Sequence, residues 1–346
     1  MSRPTGRVPT PRQRPFIATT LALSLFLALC SVEIALRIIK YSYTPIVFKS
    51  DDPKGHARRS DWRYHHAFED RSFLPDPVLI WRPKKNYPPF NAQGFRGPVF
   101  PTRKAPGDYY IVAIGDSNTL GPPTRSGWVE YLGETLGPAA PSVRVINAGV
   151  WGYSLFQGIR RFHEVLAYQP DLILVSFGAN DAHRVHVPDK QYVVSKQFLS
   201  VALMQCRVGQ LLFALSDKLM VSGRNDRPLT ARVSPEDYEA LLNKLISVAA
   251  AHRVNVVLLT RPFHEAKPPS DPLWWSNFCP AYNQLTLRVA EDRAVPIIDL
   301  YALCQGHKEW FVDESHFTDT GYRMAATMIA DHLRRFKLLS SDERAP

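Results

Sequence analysis

The chain has 346 residues, 42 Lys and Arg against 32 Asp and Glu, and a formal charge of +10. An apolar share of 45% with 21% charged residues excludes a disordered or collagen-like chain, and four cysteines exclude a disulfide scaffold. Ten Lys and Arg and three acids fall within residues 1–60, so +7 of the +10 sits there; the rest carries no basic stripe, and no nucleic-acid partner is expected.

Residues 1–15 are rich in Pro and Arg, and Phe16 to Val32 continues without a charge. As a helix these seventeen residues reach about 25 Å, and extension to Ile39 gives about 36 Å, against a hydrocarbon core of roughly 30 Å. Leu29-Cys30-Ser31-Val32 offers neither a small-x-small cleavage site nor the small residue expected before a lipidated cysteine. The reading is therefore an uncleaved single-pass anchor over residues 1–40, basic end in the cytoplasm, with Glu33 and Arg37 snorkelling at the far interface. This puts the remaining domain on the side of the membrane opposite the cytoplasm.

Fourteen of the 29 prolines precede residue 107, so 41–107 is expected to be a stalk with extended segments and turns. From residue 108 to about 340 the pattern is regular. Predicted strands at Tyr109–Ile114, Val143–Ile146, Leu172–Ser176, Asn255–Thr260 and Pro296–Leu300 alternate with helical patterns near 127–136, 154–168, 236–252, 277–293 and 320–336. Short, continuously apolar strands between amphipathic helices predict an α/β domain, its parallel sheet covered on both faces. A helical insertion at about 183–234 interrupts the alternation, and Ser195–Met220 reads as an added core-packing helix, with a lid or membrane-surface contact as the alternative.

Ligands of open α/β sheets bind at the carboxyl ends of the strands. Four such ends carry chemistry here. Gly115-Asp116-Ser117-Asn118 lies after the first strand, Asn147-Ala-Gly149-Val-Trp-Gly152 after the second, Gly178-Ala-Asn180-Asp181 after the third and, across a short connection, Asp313-Glu-Ser-His316 after the fifth. This set suits ester hydrolysis. A serine hydroxyl needs a neighbouring base, here His316, with Asp313 to fix its tautomer, and the tetrahedral oxyanion needs preorganised donors. Ser117 N–H, Gly152 N–H and the Asn180 side-chain amide supply three, with Gly149 as the competing glycine. Asp116, Gly178 and Asp181 are expected to support the site through turns and caps.

These blocks, in this order, resemble the SGNH (GDSL-type) esterase/lipase superfamily over roughly residues 109–337. The resemblance implies a flavodoxin-like three-layer α/β/α fold with a five-stranded parallel sheet, behind one N-terminal transmembrane helix. It implies a serine esterase with Ser117, Asp313 and His316 catalytic, Ser117, Gly152 and Asn180 as the oxyanion hole, and neither cofactor nor metal. Asn118 replaces the usual Leu after the serine, at a variable position. The Pro-rich region with Gly94-Phe-Arg-Gly97 also resembles bacterial membrane-anchored members. The partner implied is an ester substrate, acyl or acetyl, on a cell-envelope glycan, lipid or small molecule. Two alternatives stay open: an O-acyltransferase that passes the same acyl-enzyme to a surface polysaccharide, and a non-catalytic anchored binding protein.

Other motifs are set aside. Thr119 stands where a Gly-x-Ser-x-Gly elbow needs its second glycine. His183-x-x-His186 has no evident third ligand, and Lys84-Lys85 reads as solvated surface. Cys279 and Cys304 are either a periplasmic disulfide with Cys206 left over, or buried thiols. Trp274-Trp275 either walls an acyl or sugar site or plugs the core.

Overall fold

Five parallel strands form the central sheet: β3 (Tyr109–Gly115), β4 (Val143–Asn147), β5 (Leu172–Ser176), β8 (Asn255–Leu259) and β9 (Ile297–Ile298), in the order β4-β3-β5-β8-β9. The computed structural model describes residues 13–41, 72–76, 78–122, 125–137, 142–185, 188–196, 203–222, 229–264 and 277–339. The strand order is that of flavodoxin-like sheets, whose direction reverses between the first and third strands in sequence, here β3 and β5.

Alternate residues of β3 enter different cores, which explains its unbroken apolar run. Tyr110, Val112 and Ile114 join a cluster with helices α4 (Leu155–Leu166), α7 (Pro235–Ala251) and α8 (Cys279–Asp292). Tyr109, Ile111 and Ala113 face the other layer, built on α3 (Trp128–Leu136), α9 (Leu300–Leu303) and α10 (Asp319–Arg335). Cys279 lies in the first cluster and Cys304 in the second, so the sheet separates these two free, buried thiols. Burial raises both above the usual thiol range, Cys304 to about 12. Iodoacetamide at pH 8 should therefore modify neither in the native protein and both after unfolding, as peptide mass mapping would read; modification of Cys304 before unfolding would contradict this placement.

Residues 72–107 depart from the expected stalk. Strands β1 (Phe73–Asp76) and β2 (Ile80–Pro83) form an antiparallel hairpin, and Trp81, Phe90, Phe95 and Phe100 are buried in the first core. Arg96 clamps the next loop through bonds to the carbonyls of Leu120, Pro122 and Arg125. Aromatic side chains of this segment are large enough to make a packed layer without periodic structure. Residues 42–71 lie outside the described residues.

The insertion holds more than one helix. A two-stranded ribbon, β6 (Arg184–Val185) and β7 (Thr230–Ala231), closes it, with α5 (Asp189–Lys196), a short 3-10 turn at Leu203–Gln205 and α6 (Arg207–Ser222) between. Within the span of the expected helix over 195–220 the chain turns tightly at Cys206 before α6 begins, and residues 197–202 lie outside the described residues. Cys206 Sγ accepts the Gly209 N–H at 3.2 Å, and a Cβ on Gly209 would sit 1.9 Å from the Leu203 carbonyl oxygen.

Among the described residues one helix, α1 (Gln13–Ile38), contains a stretch, Phe16–Ile38, long and apolar enough to cross a membrane. Glu33 does not simply meet solvent: its Oε1 accepts from Arg37 Nε at 2.7 Å and its Oε2 from the Val208 N–H at 2.9 Å.

Candidate active site

Ser117 opens the single helical turn α2 (Ser117–Leu120) directly after β3. Asp116 is the N-cap, its Oδ1 accepting the Asn118 N–H at 2.9 Å. Gly115 is required by space, since a Cβ there would meet Thr119 Oγ1 at 2.1 Å and the Ser176 carbonyl at 2.7 Å. The turn therefore presses against β5 and presents the Ser117 hydroxyl at the carboxyl edge of the sheet.

The loop carrying Asp313 and His316 is pinched by an antiparallel bridge between Phe311 and Phe317, whose rings pack at a tilt with centres 4.8 Å apart in the second core. Ser117 Oγ lies 2.8 Å from His316 Nε2, and His316 Nδ1 lies 2.9 and 3.0 Å from the Asp313 carboxylate oxygens. Asp313 Oδ1 also accepts the N–H groups of Ser315 and His316, both at 3.0 Å. A carboxylate beside Nδ1 favours the proton on that nitrogen, which leaves the Nε2 lone pair facing the Ser117 hydroxyl.

Gly152 and Asn180 converge on the same edge. Gly152 has φ +71°, and its N–H has no hydrogen-bond partner among the described residues, nor has that of Ser117. The rival Gly149 spends its N–H on Asn147 Oδ1 at 3.0 Å. Asn180 is buried, with Nδ2 3.2 Å from the Tyr153 carbonyl and 3.4 Å from Asp116 Oδ2, so its amide nitrogen is turned toward the two loops that carry Gly152 and Ser117. Gly178, at φ +125°, makes the sharp turn that brings Asn180 there, a conformation side-chain-bearing residues rarely adopt. Asp181 ties that turn to the start of α4 by accepting from Gly178 N at 3.0 Å and Leu155 N at 2.8 Å. Complete burial raises its carboxyl to about 7, against the pull of those two bonds and of the Arg232 charge.

Three supporting side chains, Arg261, Arg232 and Trp81, carry no role in the sequence motifs. Arg261, two residues beyond the end of β8, forms a buried ion pair with Asp116 (Nε to Oδ2, 2.8 Å) and donates to the Ser315 carbonyl at 3.0 Å. Asn118 donates to that carbonyl as well, at 2.7 Å. The residue before His316 is thus held by two side chains, one of them beside the nucleophile. Arg232, just after the returning strand β7 of the insertion, pairs with buried Asp189 at 2.8 Å and donates to the Gly152 carbonyl at 2.8 Å and Gln157 Oε1 at 2.9 Å. Trp81 packs on the same loop, with Nε1 donating to the Trp151 carbonyl and its own carbonyl accepting from the Tyr153 hydroxyl. An Arg immediately after an apolar strand is the readable signal for Arg261. For Arg232 no local pattern exists.

Among the described residues no group of three or more His, Cys, Asp or Glu side chains is arranged to hold a metal ion. Desolvation, with the Arg232 charge, holds the His183 imidazole neutral, well below its usual range; His186 and Trp274-Trp275 lie outside the described residues. Lys84 sits over the Tyr87 ring, 4.6 Å from its centre.

A family described as the GDSL-like Lipase/Acylhydrolase family matches residues 113–324. The chain is 33% identical over 81 residues to Esterase TesA of Pseudomonas aeruginosa, an alignment that takes in 22% of this chain and only 40% of that esterase. Among solved structures, a lipase/acylhydrolase from Enterococcus faecalis is similar at a TM-score of 0.46 and 22% identity, over 66% of this chain and 96% of that one. A catalytic mutant of an acetylxylan esterase from Geobacillus stearothermophilus is similar at a TM-score of 0.45 and 19% identity, over 67% and 96%.

Proposed function

The chain belongs to the GDSL-like lipase/acylhydrolase family and is an SGNH serine hydrolase, and from that membership we propose that it hydrolyses a carboxylic ester through Ser117, His316 and Asp313 while held at a membrane by its N-terminal helix. The observation that carries the reading is the unbroken line from Ser117 Oγ to His316 Nε2 (2.8 Å) and from His316 Nδ1 to the Asp313 carboxylate (2.9 Å). In the first step Ser117 Oγ attacks the ester carbonyl as its proton passes to His316 Nε2, and Asp313 stabilises the imidazolium. The oxyanion accepts from the N–H groups of Ser117 and Gly152 and from Asn180 Nδ2. His316 then gives the proton to the leaving alcohol. A water, deprotonated by His316, releases the acid from the acyl-enzyme and restores the serine.

Membrane attachment is supported by the way α1 meets the domain. Tyr41 packs against the first core, and Glu33 caps α6 through Val208. The exposed apolar stretch Phe16–Leu29 ends where these contacts begin, as expected of a span whose far end is fixed to the domain. With the basic residues preceding Phe16 in the cytoplasm, the catalytic domain stands on the periplasmic or extracellular face, where esters of envelope glycans or lipids are within reach.

A fluorophosphonate probe should label the native protein at Ser117, located by peptide mass spectrometry, and a series of p-nitrophenyl esters with acetylated polysaccharides should show which acyl group turns over. Wild-type protein that resists the probe while remaining folded would remove Ser117 as nucleophile. Asn180→Ala should lower kcat by about 10²–10³ with a smaller change in KM, because the amide's charge-stabilising bond strengthens only as the oxyanion forms. Steady-state kinetics on the best ester of that series measure it; an unchanged kcat would exclude Asn180 from the oxyanion hole.

A further inference from the structure

Three exposed leucines of the insertion are not explained by catalysis or by the core. On α6, Leu212, Leu215 and Leu219 are 44%, 47% and 80% exposed. At about 100° per residue they fall with Val208 inside an arc of roughly 60°. Gly209, Gln210 and Phe213 are buried and occupy the opposite side, where the Phe213 ring lies 6.0 Å from that of Tyr192. The helix thus grips the domain by one face and holds an apolar stripe away from it, a pattern of helices that lie in a membrane interface.

The level of this stripe is set by α1. Every described side chain from Phe16 to Leu29 is exposed, whereas Cys30, Glu33 and Leu36, spaced by three, are half-buried. Glu33 Oε2 accepts the N–H of Val208, in the first turn of α6, at 2.9 Å. At 1.5 Å per residue Glu33 lies about 25 Å along the helix from Phe16, close to the roughly 30 Å thickness of a hydrocarbon core. If Phe16 marks one boundary of the bilayer, the start of α6 is tied to the other.

We propose that α6 lies against the lipid bilayer on the side of the catalytic domain, with Leu212, Leu215 and Leu219 inserted among the headgroups and upper acyl chains. The inference rests on the anchor reading of α1 and adds a second contact that seats the domain at the surface. The occupant is lipid because the stripe begins at Val208, which is bonded to Glu33 near the end of the apolar helix. The same insertion carries Asp189 and Arg232, whose ion pair holds the Gly152 carbonyl, so the unit that meets lipid is also the one that braces this loop.

The test uses the full chain reconstituted in phosphatidylethanolamine/phosphatidylglycerol vesicles, with an environment-sensitive fluorescent amino acid encoded at position 219 in one variant and at position 25 in another. Lipids bearing nitroxides at shallow or deep acyl positions quench from within the bilayer, and iodide quenches from water. The proposal expects deep-nitroxide quenching at 25, and at 219 shallow-nitroxide quenching with iodide quenching reduced severalfold relative to the free fluorescent amino acid. Position 25 in lipid with 219 as open to iodide as the free fluorophore would overturn the lipid contact and leave the anchor standing. Position 219 shielded from iodide and from both nitroxides would mean that protein, such as a second copy, covers the stripe, and would overturn it too. Failure of deep quenching at 25 would remove the anchor reading and this inference with it.

Discussion

Ser117→Ala should lower kcat by at least about 10⁴-fold without unfolding the protein, because Ser117 Oγ makes its hydrogen bond to His316 and supports nothing in the core. His316→Ala should cost about as much. The double variant should cost no more than either alone, since a nucleophile without its base and a base without its nucleophile are disabled in the same step. Asp313→Asn is more diagnostic. Asp313 Oδ1 accepts from the Ser315 and His316 N–H groups as well as facing Nδ1, so an amide there can keep the loop bonds by turning its oxygen to them. Its NH₂ then faces the imidazole and drives the ring proton to Nε2, where it blocks proton transfer from Ser117. The expected loss is about 10³–10⁴ in kcat with unchanged thermal stability. Burst kinetics with a p-nitrophenyl ester, beside a melting curve, separate the two quantities. Additive losses in the double variant would mean that Ser117 and His316 do not act in one step.

Much of this arrangement is legible because the sheet is buried on both faces. Continuous runs such as Leu172–Ser176 are too short for helices and too apolar for loops, and the residues just beyond such runs include Ser117, Gly152, Asn180 and the Asp313–His316 loop. The fourth strand is the exception. Arg261 sits two residues beyond β8, but its partner Asp116 is 145 residues away, and no spacing rule connects them. Arg232 lies in the insertion, where no period marks it, and its role depends on Asp189 at the insertion's other end. Asn118 reads as a variable substitution and is instead a donor to the Ser315 carbonyl. The segment 72–107 reads as a stalk because proline disrupts periodicity. Trp81, Phe90, Phe95 and Phe100 within about twenty residues are the better guide, since so much aromatic surface is costly to leave in water.

The second large effect belongs to the pair that no sequence pattern connects. Asp116 and Arg261 are each 1% exposed, so each charge depends on the other for compensation. Replacing both by apolar groups can be close to neutral, but removing one leaves the other buried and unpaired. Arg261→Met should therefore lower unfolding free energy by about 3–5 kcal/mol, a large part of the roughly 5–15 kcal/mol that domains possess. Asp116→Asn in the same chain should recover part of that loss, because the neutral amide no longer demands a cation while its oxygen can still cap the Asn118 N–H. Urea unfolding of the wild type, both single variants and the double variant closes the cycle, and a coupling of about 0.5–3 kcal/mol is expected. Arg261→Lys supplies a soluble control: it keeps a charge for Asp116 but loses the planar fork that reaches the Ser315 carbonyl beside His316. It should consequently lower kcat more than it lowers stability. Equal stability of Arg261→Met and wild type would show that this pair holds neither the nucleophile turn nor the histidine loop. The pairing joins the two loops that must meet for Ser117 to reach His316, which is why a residue touching no substrate is expected to set the geometry of the reaction.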